Sequence, residues 1–257
     1  MSYFTSSNNR KILIGTAGLL VVLILWGVLS RKYPPLVLPS PGETFQALRV
    51  LWNSGRLGQS TLITLKRTAA GYSLAVITGL LFALLLRSNR YCQYLFRPMV
   101  TVIQTIPPVI WLVFAVIWFG IADDLTPVFL IFIVTFPVIF INIYTGLDSI
   151  DLRLVEMARV YRSSSTRIIF KIYFPALIPH LVSAVSIGLS FAWKSTIFAE
   201  FIGSSSGIGF DLSMANSNLE TEKLFAWALL LVVMMLVFEY GILQPLKRYV
   251  TRWNSHE

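Results

Sequence analysis

Six stretches of this chain run for about the thickness of a bilayer with almost no charge, and that pattern restricts the fold more than any single residue does. Uncharged runs cover Ile12–Ser30, Thr68–Leu86, Pro98–Ala122, Leu125–Leu147 and Ile172–Trp193, and a sixth, Leu224–Leu246, is interrupted only by Glu239. A hydrocarbon core about 30 Å thick takes roughly 20 apolar residues per helix. With 56% hydrophobic and 13% charged residues the chain is too apolar for a water-soluble fold of this length. We therefore read an all-α, polytopic membrane protein with six transmembrane helices in one domain, residues 1–257, with a core over about 60–250. The first run follows Arg10 and Lys11 as a signal peptide would. It is longer than a usual signal h-region and no small-x-small site precedes Arg31, so it is read as a retained helix.

The net charge of +9 does not point to nucleic acid once the charges are placed on the spans. With a cytoplasmic N-terminus, Arg87, Arg90, Arg97, Arg153, Arg159, Arg162, Arg167, Lys171, Lys247, Arg248 and Arg252 share its side with Arg10 and Lys11. The other side receives Asp123, Asp124, Asp211, Glu220 and Glu222, as the positive-inside rule requires. Arg31, Lys32, Arg49 and Arg56 are the exception. Tyr91, Tyr173, Tyr249 and Trp253 near the span ends fit interfacial anchoring. Both termini are expected in the cytoplasm.

Between the first two spans, prolines 34, 35, 39 and 41 give way to a helical pattern through Phe45, Leu48, Leu51 and Trp52. That face suits either a helix lying at the bilayer surface or a connector packed on the bundle. Gly71, Ala75 and Gly79 are four apart and form a small-residue stripe suited to close helix contact. Pro107 and Pro108 remove two amide donors from the third span, so a break or kink is expected there, either as a static bend or opening a polar cavity faced by Gln104 and Thr105. Pro137 is expected to act similarly in the fourth span.

A charged amphipathic segment, residues 151–174, separates the fourth and fifth spans. Asp148 or Asp151 can cap it, and Leu152, Val155, Ala158 and Tyr161 fall on one side with Arg153, Arg159 and Arg162 interspersed. On charge alone, such a helix could lie on anionic lipid or dock a protein. The segment resembles the cytoplasmic EAA loop of permease subunits in bacterial ATP-binding-cassette importers, with Glu156, Ala158 and Pro175 at pattern positions. Met157 departs from that pattern, and so does Arg162, which stands where the family has a turn-forming Gly. Because a Cβ resists positive φ, we expect the turn to pass to Ser163, Ser164 and Ser165, or the helices to join at another angle. Leu38-Pro39-Ser40-Pro41, the Leu65–Tyr72 segment, Trp118-Phe119-Gly120-Ile121, and Trp193 through Ala199-Glu200 to Gly209 resemble the nitrate, sulfonate and taurine branch.

The resemblance implies a type I (MetI-like) importer permease fold in a bacterial inner membrane, a homodimer, two cytoplasmic ATPase subunits and an extracytoplasmic binding protein. It assigns ATPase coupling to Val155, Glu156, Ala158, Arg159, Arg162, Ser163 and Ser164. Candidate path or gate residues are Gln104, Thr105, Trp193, Lys194 and Glu200. Lys194 and Glu200 are six apart, about 9 Å along a helix and 120° around it, so they are not expected to pair. Lys194 is then free to attract an anion into a central cavity, to snorkel, or to pair with another span. Glu200 is a candidate for closing a gate or binding the delivery protein. The cargo expected is a small anion such as sulfonate, taurine, nitrate or bicarbonate, with a vitamin precursor as the alternative.

No catalytic or metal-binding role is expected of this chain. It has no Gly-x-x-x-x-Gly-Lys-Ser/Thr phosphate loop, so ATP and Mg would reside on the partner ATPase. His180 and His256 form no ligand cluster, and the single Cys92 excludes an intrachain disulfide. An ion-coupled transporter using Lys194 and Glu239 is the rival reading, set against the absence of an evident inverted repeat. An intramembrane enzyme is disfavoured, because no nucleophile and base stand at useful spacing.

Overall fold

In hydrocarbon every backbone amide must be satisfied within its own segment, and the described parts of the apolar runs are accordingly helical except around the break at Pro107-Pro108 and at the end of that run. A computed structural model describes residues 17–18, 20–88, 90–121 and 124–245, and among these there is no strand. The helices are α1 (Leu20–Ser30), α2 (Pro41–Asn53), α3 (Arg56–Ser88), α4 (Arg90–Thr105), α5 (Pro108–Phe119), α6 (Leu125–Asp148), α7 (Leu152–Val160), α8 (Ser165–Ile168), α9 (Phe174–Gly203), α10 (Ile208–Ser217) and α11 (Thr221–Phe238). π-Helical turns at Ile169–Tyr173 and Glu239–Leu243 lead into α9 and extend α11. Among the described residues, four helical stretches are long and apolar enough to cross a bilayer: Arg56–Arg87, Leu125–Asp148, Ser165–Gly203 and Thr221–Gly241. The third expected span is a bent pair, Tyr91–Thr105 and Pro108–Phe119, turned by 95°. Of the first, Leu20–Ser30 is a short apolar helix, while residues 12–16 and 19, like Arg10, Lys11, Asp123, Lys247, Arg248, Tyr249, Arg252, Trp253 and His256, lie outside the described residues.

The chain divides into two compact units. One draws on Met1–Gly58 and Asp211–Leu231, the other on Gln59–Phe210 and Val232–Glu257. The larger unit is organised on α6. Just over half of its apolar window, 56%, is buried, against 28% or less for the other three spans, so α6 is the inner helix and the rest keep open faces. Phe132, Phe136, Phe140 and Tyr144 recur every four residues and stack along one side of it. The small-residue stripe of α3 packs here as expected. A Cβ on Gly71 would come within 2.7 Å of Ile131 Cβ, and one on Gly79 within 2.9 Å of Ile139 Cγ2, while Ala75 is wholly buried.

The two proline sites behave differently. Pro137 lies inside an unbroken α6, whereas Pro107-Pro108 ends one helix and starts another. One missing amide is tolerated in a helix packed on several sides. Two adjacent prolines remove two donors, and the second also drives the first into extended backbone, observed at φ −56° and ψ 139°. The indole Nε1 of Trp111 donates to Ile103 O at 3.3 Å, the carbonyl that an amide at position 107 would have served.

In the smaller unit, Ser40 and Glu43 form a reciprocal capping box that starts α2 (Ser40 N to Glu43 Oε2, 2.7 Å; Glu43 N to Ser40 Oγ, 3.2 Å). Trp26 donates to Pro39 O at 2.9 Å and stacks on Phe225. Thr221 Oγ1 donates to Leu36 O at 2.7 Å, and Arg56 pairs with Asp211 at 2.7 Å. The apolar face expected on α2 is split. Thr44, Ala47 and Leu51 are buried, whereas Phe45 and Trp52 point away from the protein. A half-buried helix shows apolar residues on two faces when one meets protein and the other lipid, and periodicity alone does not separate them.

Candidate functional site

Residues 151–174 are built from two capped helices and a tight turn. Asp151 accepts from Arg153 N at 2.9 Å and opens α7; Asp148 is the last residue of α6 and does not serve as the cap. At the other end Ser163 N donates to Ala158 O and Arg162 N to Arg159 O, both at 2.9 Å, the paired bonds of a Schellman motif. The residue this motif places in left-handed conformation is Arg162, at φ 53°. That corrects the expectation that the serines would take over the turn. Arg162 occupies the glycine conformation itself, and Ser164 instead caps α8 by accepting from Arg167 N at 3.4 Å. Two hydrogen bonds hold Arg162 against a strain of about 1–2 kcal/mol. Leu219, at φ 58°, does the same after α10, where Glu220 N donates to Ala215 O.

The side expected to be apolar on α7 also differs. Val155 alone is buried; Ala158 and Ser163 are half-buried, while Leu152, Leu154, Glu156, Met157, Arg159, Val160, Tyr161, Arg162 and Ser164 are exposed. Tyr161 is 78% exposed. One valine therefore anchors the helix, and the opposite side presents apolar and basic groups together. The span behind it, Ser165–Gly203, is 39 residues, about 58 Å of helix. It exceeds the hydrocarbon thickness by roughly 28 Å, so it reaches well outside the bilayer.

At the far end of α9 lies a cluster that the sequence shows only in pieces. Glu200 has no exposed surface, and its carboxylate accepts from Thr64 Oγ1 (2.8 Å), Arg67 Nη1 (3.0 Å) and Gly209 N (3.0 Å). Arg67, 4% exposed, also donates to Asp124 Oδ1 (2.7 Å), Ser206 O (2.6 Å) and Ser206 Oγ (2.8 Å). Thr64 Oγ1 in turn accepts from Ile208 N at 2.9 Å, and Thr68 and Thr196 share a hydroxyl bond at 2.9 Å. Gly207 stands at φ +99°, and a Cβ there would strike the Glu200 carboxylate. This explains the glycines after Ser206. The loop must pass so close to a buried acid that no side chain fits.

The remaining candidate residues are dispersed. Glu200, a candidate gate or delivery-protein contact, is enclosed by these bonds and has no exposed surface. Lys194 is exposed beside Ile187 and Phe191 and is not among the partners of Glu200, in agreement with the spacing argument. Trp193 is buried, tilts against Phe238 at 5.5 Å, and helps line a cavity of about 200 Å³ with Leu65, Thr68, Tyr72 and Ser190. Gln104 and Thr105 are exposed at the elbow, where Thr105 Oγ1 donates to Thr101 O at 2.9 Å. They line no part of that cavity. His180 packs so closely on Gly146 that a Cβ there would lie 2.5 Å from its own.

Arg67 was the residue missed as a site candidate. Its signal was present, because an arginine and a glutamate each placed within a membrane helix both demand a counter-charge, and each answers the other.

A chain that is all-helical over its described residues, with several helices long and apolar enough to cross a bilayer, a bent pair and a capped segment between its long helices, is a polytopic membrane protein. Residues 75–245 match the family model described as binding-protein-dependent transport system inner membrane component, and the chain belongs to that family. It is 28% identical over 240 residues to the putative aliphatic sulfonates transport permease protein of Bacillus subtilis, covering 92% of this chain and 86% of that one. It is 23% identical to the taurine transport system permease protein of Escherichia coli (96% and 92% covered) and 28% identical to the nitrate import permease protein of Synechocystis (85% and 82%). The fold is similar to that in inward-facing conformations of the MetNI methionine ABC transporter, with TM-score 0.61 at 19% identity, covering 74% of this chain and 94% of that one. An amino acid ABC transporter crystallised with histidines gives TM-score 0.60 at 16% identity (79% and 96%).

Proposed function

We infer that this chain is the membrane-spanning subunit of an ATP-driven importer, working as a homodimer with two cytoplasmic ATPase subunits and an extracytoplasmic binding protein that delivers the cargo. It performs no covalent chemistry, and ATP and Mg belong to the ATPase. The observation that carries the reading is the family match together with residues 151–174, where Val155 anchors a short helix and Met157, Val160 and Tyr161 are left open beside Arg159 and Arg162. Such a surface suits a groove on a soluble subunit. Its tether, the 39-residue helical stretch that ends at the Arg67–Glu200 cluster, is a continuous path by which movement at one end would reach the other.

The cargo is a small anion of the sulfonate, taurine or nitrate type. Support comes from the relatives and from Lys194, an exposed cation on a span where a charge facing lipid costs about 2.5–3.5 kcal/mol. That cost is removed if the Lys194 face meets a second copy and a hydrated path. Both termini and residues 151–174 lie in the cytoplasm in this reading.

The test is uptake of labelled taurine, an alkanesulfonate and nitrate into vesicles holding the permease, its copurified ATPase and the binding protein. Uptake should require ATP, and Lys194→Met should reduce it without changing the yield of folded complex. Uptake of a vitamin precursor alone would replace the cargo class. Gradient-driven uptake by this chain without an ATPase would replace the mechanism.

A further inference from the structure

Four basic residues, Arg31, Lys32, Arg49 and Arg56, break the charge asymmetry of the chain, and the transport reading uses none of them. Arg56 is accounted for by its pair with Asp211. Arg49 is different. It is exposed on α2 and belongs to none of the ion pairs seen among the described residues. It borders a groove of about 650 Å³ whose walls are Phe45, Leu48, Trp52, Leu57 and Leu230, and among the described residues it is the one charged residue lining it. Gln46 adds an amide at the rim.

Phe45, Arg49 and Trp52 are three or four residues apart and share a helix face, on which Phe45 is 69% and Trp52 71% exposed. Two large aromatics held open in this way have no place in bulk water, but they do at a bilayer edge. α2 lies in the chain between two apolar helices, α1 and α3, so a bilayer edge is expected beside it in a chain that spans the membrane. Leu230 stands nine residues into α11, about 13 Å along its axis from Thr221.

We propose that this groove seats one anionic phospholipid, its phosphate on Arg49 and an acyl chain along Trp52, Leu57 and Leu230. The volume falls within the roughly 300–1,000 Å³ usual for small-ligand sites. The charge selects the headgroup class. A zwitterionic lipid brings a cation beside its phosphate, which Arg49 repels, whereas a headgroup such as phosphatidylglycerol leaves the phosphate unopposed. A second copy or a soluble protein would have to bury Arg49 and supply a carboxylate for it. The proposal requires only that the chain spans a bilayer and stands apart from the transport reading.

The intact permease, with whatever subunits copurify, is placed in nanodiscs of equal phosphatidylcholine and phosphatidylglycerol, and the lipids retained on release are read by native mass spectrometry. Phosphatidylglycerol should be retained in preference to phosphatidylcholine, and Arg49→Gln should lower its retention about fivefold. Arg49→Lys should keep the headgroup preference, which separates charge from any fold defect, and Trp52→Ala should lower retention of both lipids. Equal retention of the two lipids by the wild type, or unchanged phosphatidylglycerol on Arg49→Gln, overturns the proposal. So does a Trp52→Cys crosslink that captures a second copy or a soluble protein instead of lipid.

Discussion

Arg162 carries a positive φ that costs about 1–2 kcal/mol in any residue with a Cβ, and the Schellman bonds hold it there. Replacing it with glycine removes that strain while adding freedom to the unfolded chain, so Arg162→Gly should stabilise the turn by about 0.5–1 kcal/mol. Slower proteolysis across residues 152–168 would show it. If the guanidinium also grips an ATPase, uptake should fall in the same variant, and stability and activity would move in opposite directions. The buried pair of Arg67 and Glu200 predicts a different pattern. Arg67→Met strands the buried Glu200 carboxylate, at about 3–5 kcal/mol, whereas Glu200→Gln leaves Arg67 its Asp124 partner and should cost less, and Arg67→Met with Glu200→Met strands no buried charge and should recover much of the thermal stability lost by Arg67→Met alone. At this scale the sequence reveals demand but not its answer. It shows that Glu200 and Lys194 are badly spaced to pair with each other and that a glycine is missing at 162. Which distant residue meets Glu200, and how a turn forms without glycine, depend on contacts between elements far apart in the chain.

The helices themselves follow closely from the apolar runs, because the bilayer allows a spanning chain few alternatives. Their interruptions were legible only where two breakers coincided. Pro107-Pro108 marks the elbow, Pro137 leaves α6 unbroken, and no residue type announces the π-turns at Ile169–Tyr173 and Glu239–Leu243 or the helix Ile208–Ser217. The elbow makes its own prediction. Trp111 serves the carbonyl of Ile103 across the bend, so Trp111→Phe keeps an aromatic ring, though a smaller one, and leaves that acceptor unpaired, at about 1 kcal/mol for the lost bond. The expected outcome is a lower thermal midpoint with secondary structure unchanged, and a wider range of interhelical distances between spin labels on α4 and α5. A midpoint equal to that of the wild type would mean that packing around Pro107, not the indole bond, sets the 95° bend.

For the molecule as a whole, the class was readable because it rests on sums over many residues, namely run length and the spacing of motifs across most of the chain, whereas the six spans expected compare with four long apolar helices and one bent pair among the described residues. Assembly is written on surfaces whose partners are other chains, and α7 shows the difficulty: a helix with one buried residue looks inert until its open side is given something to meet. The orientation of the long helices decides what that can be. If residues 151–174 face the cytoplasm, a thiol placed at Ser164, exposed at the start of α8, should resist a membrane-impermeant maleimide in intact cells and react once the membrane is opened. Asp124 sits at the opposite end of α6 and, being exposed, should show the reverse when replaced by cysteine. The paired result tests the topology without reference to transport. It also binds the functional reading, since α6 crosses the membrane once, and its two ends cannot both face the compartment that holds ATP.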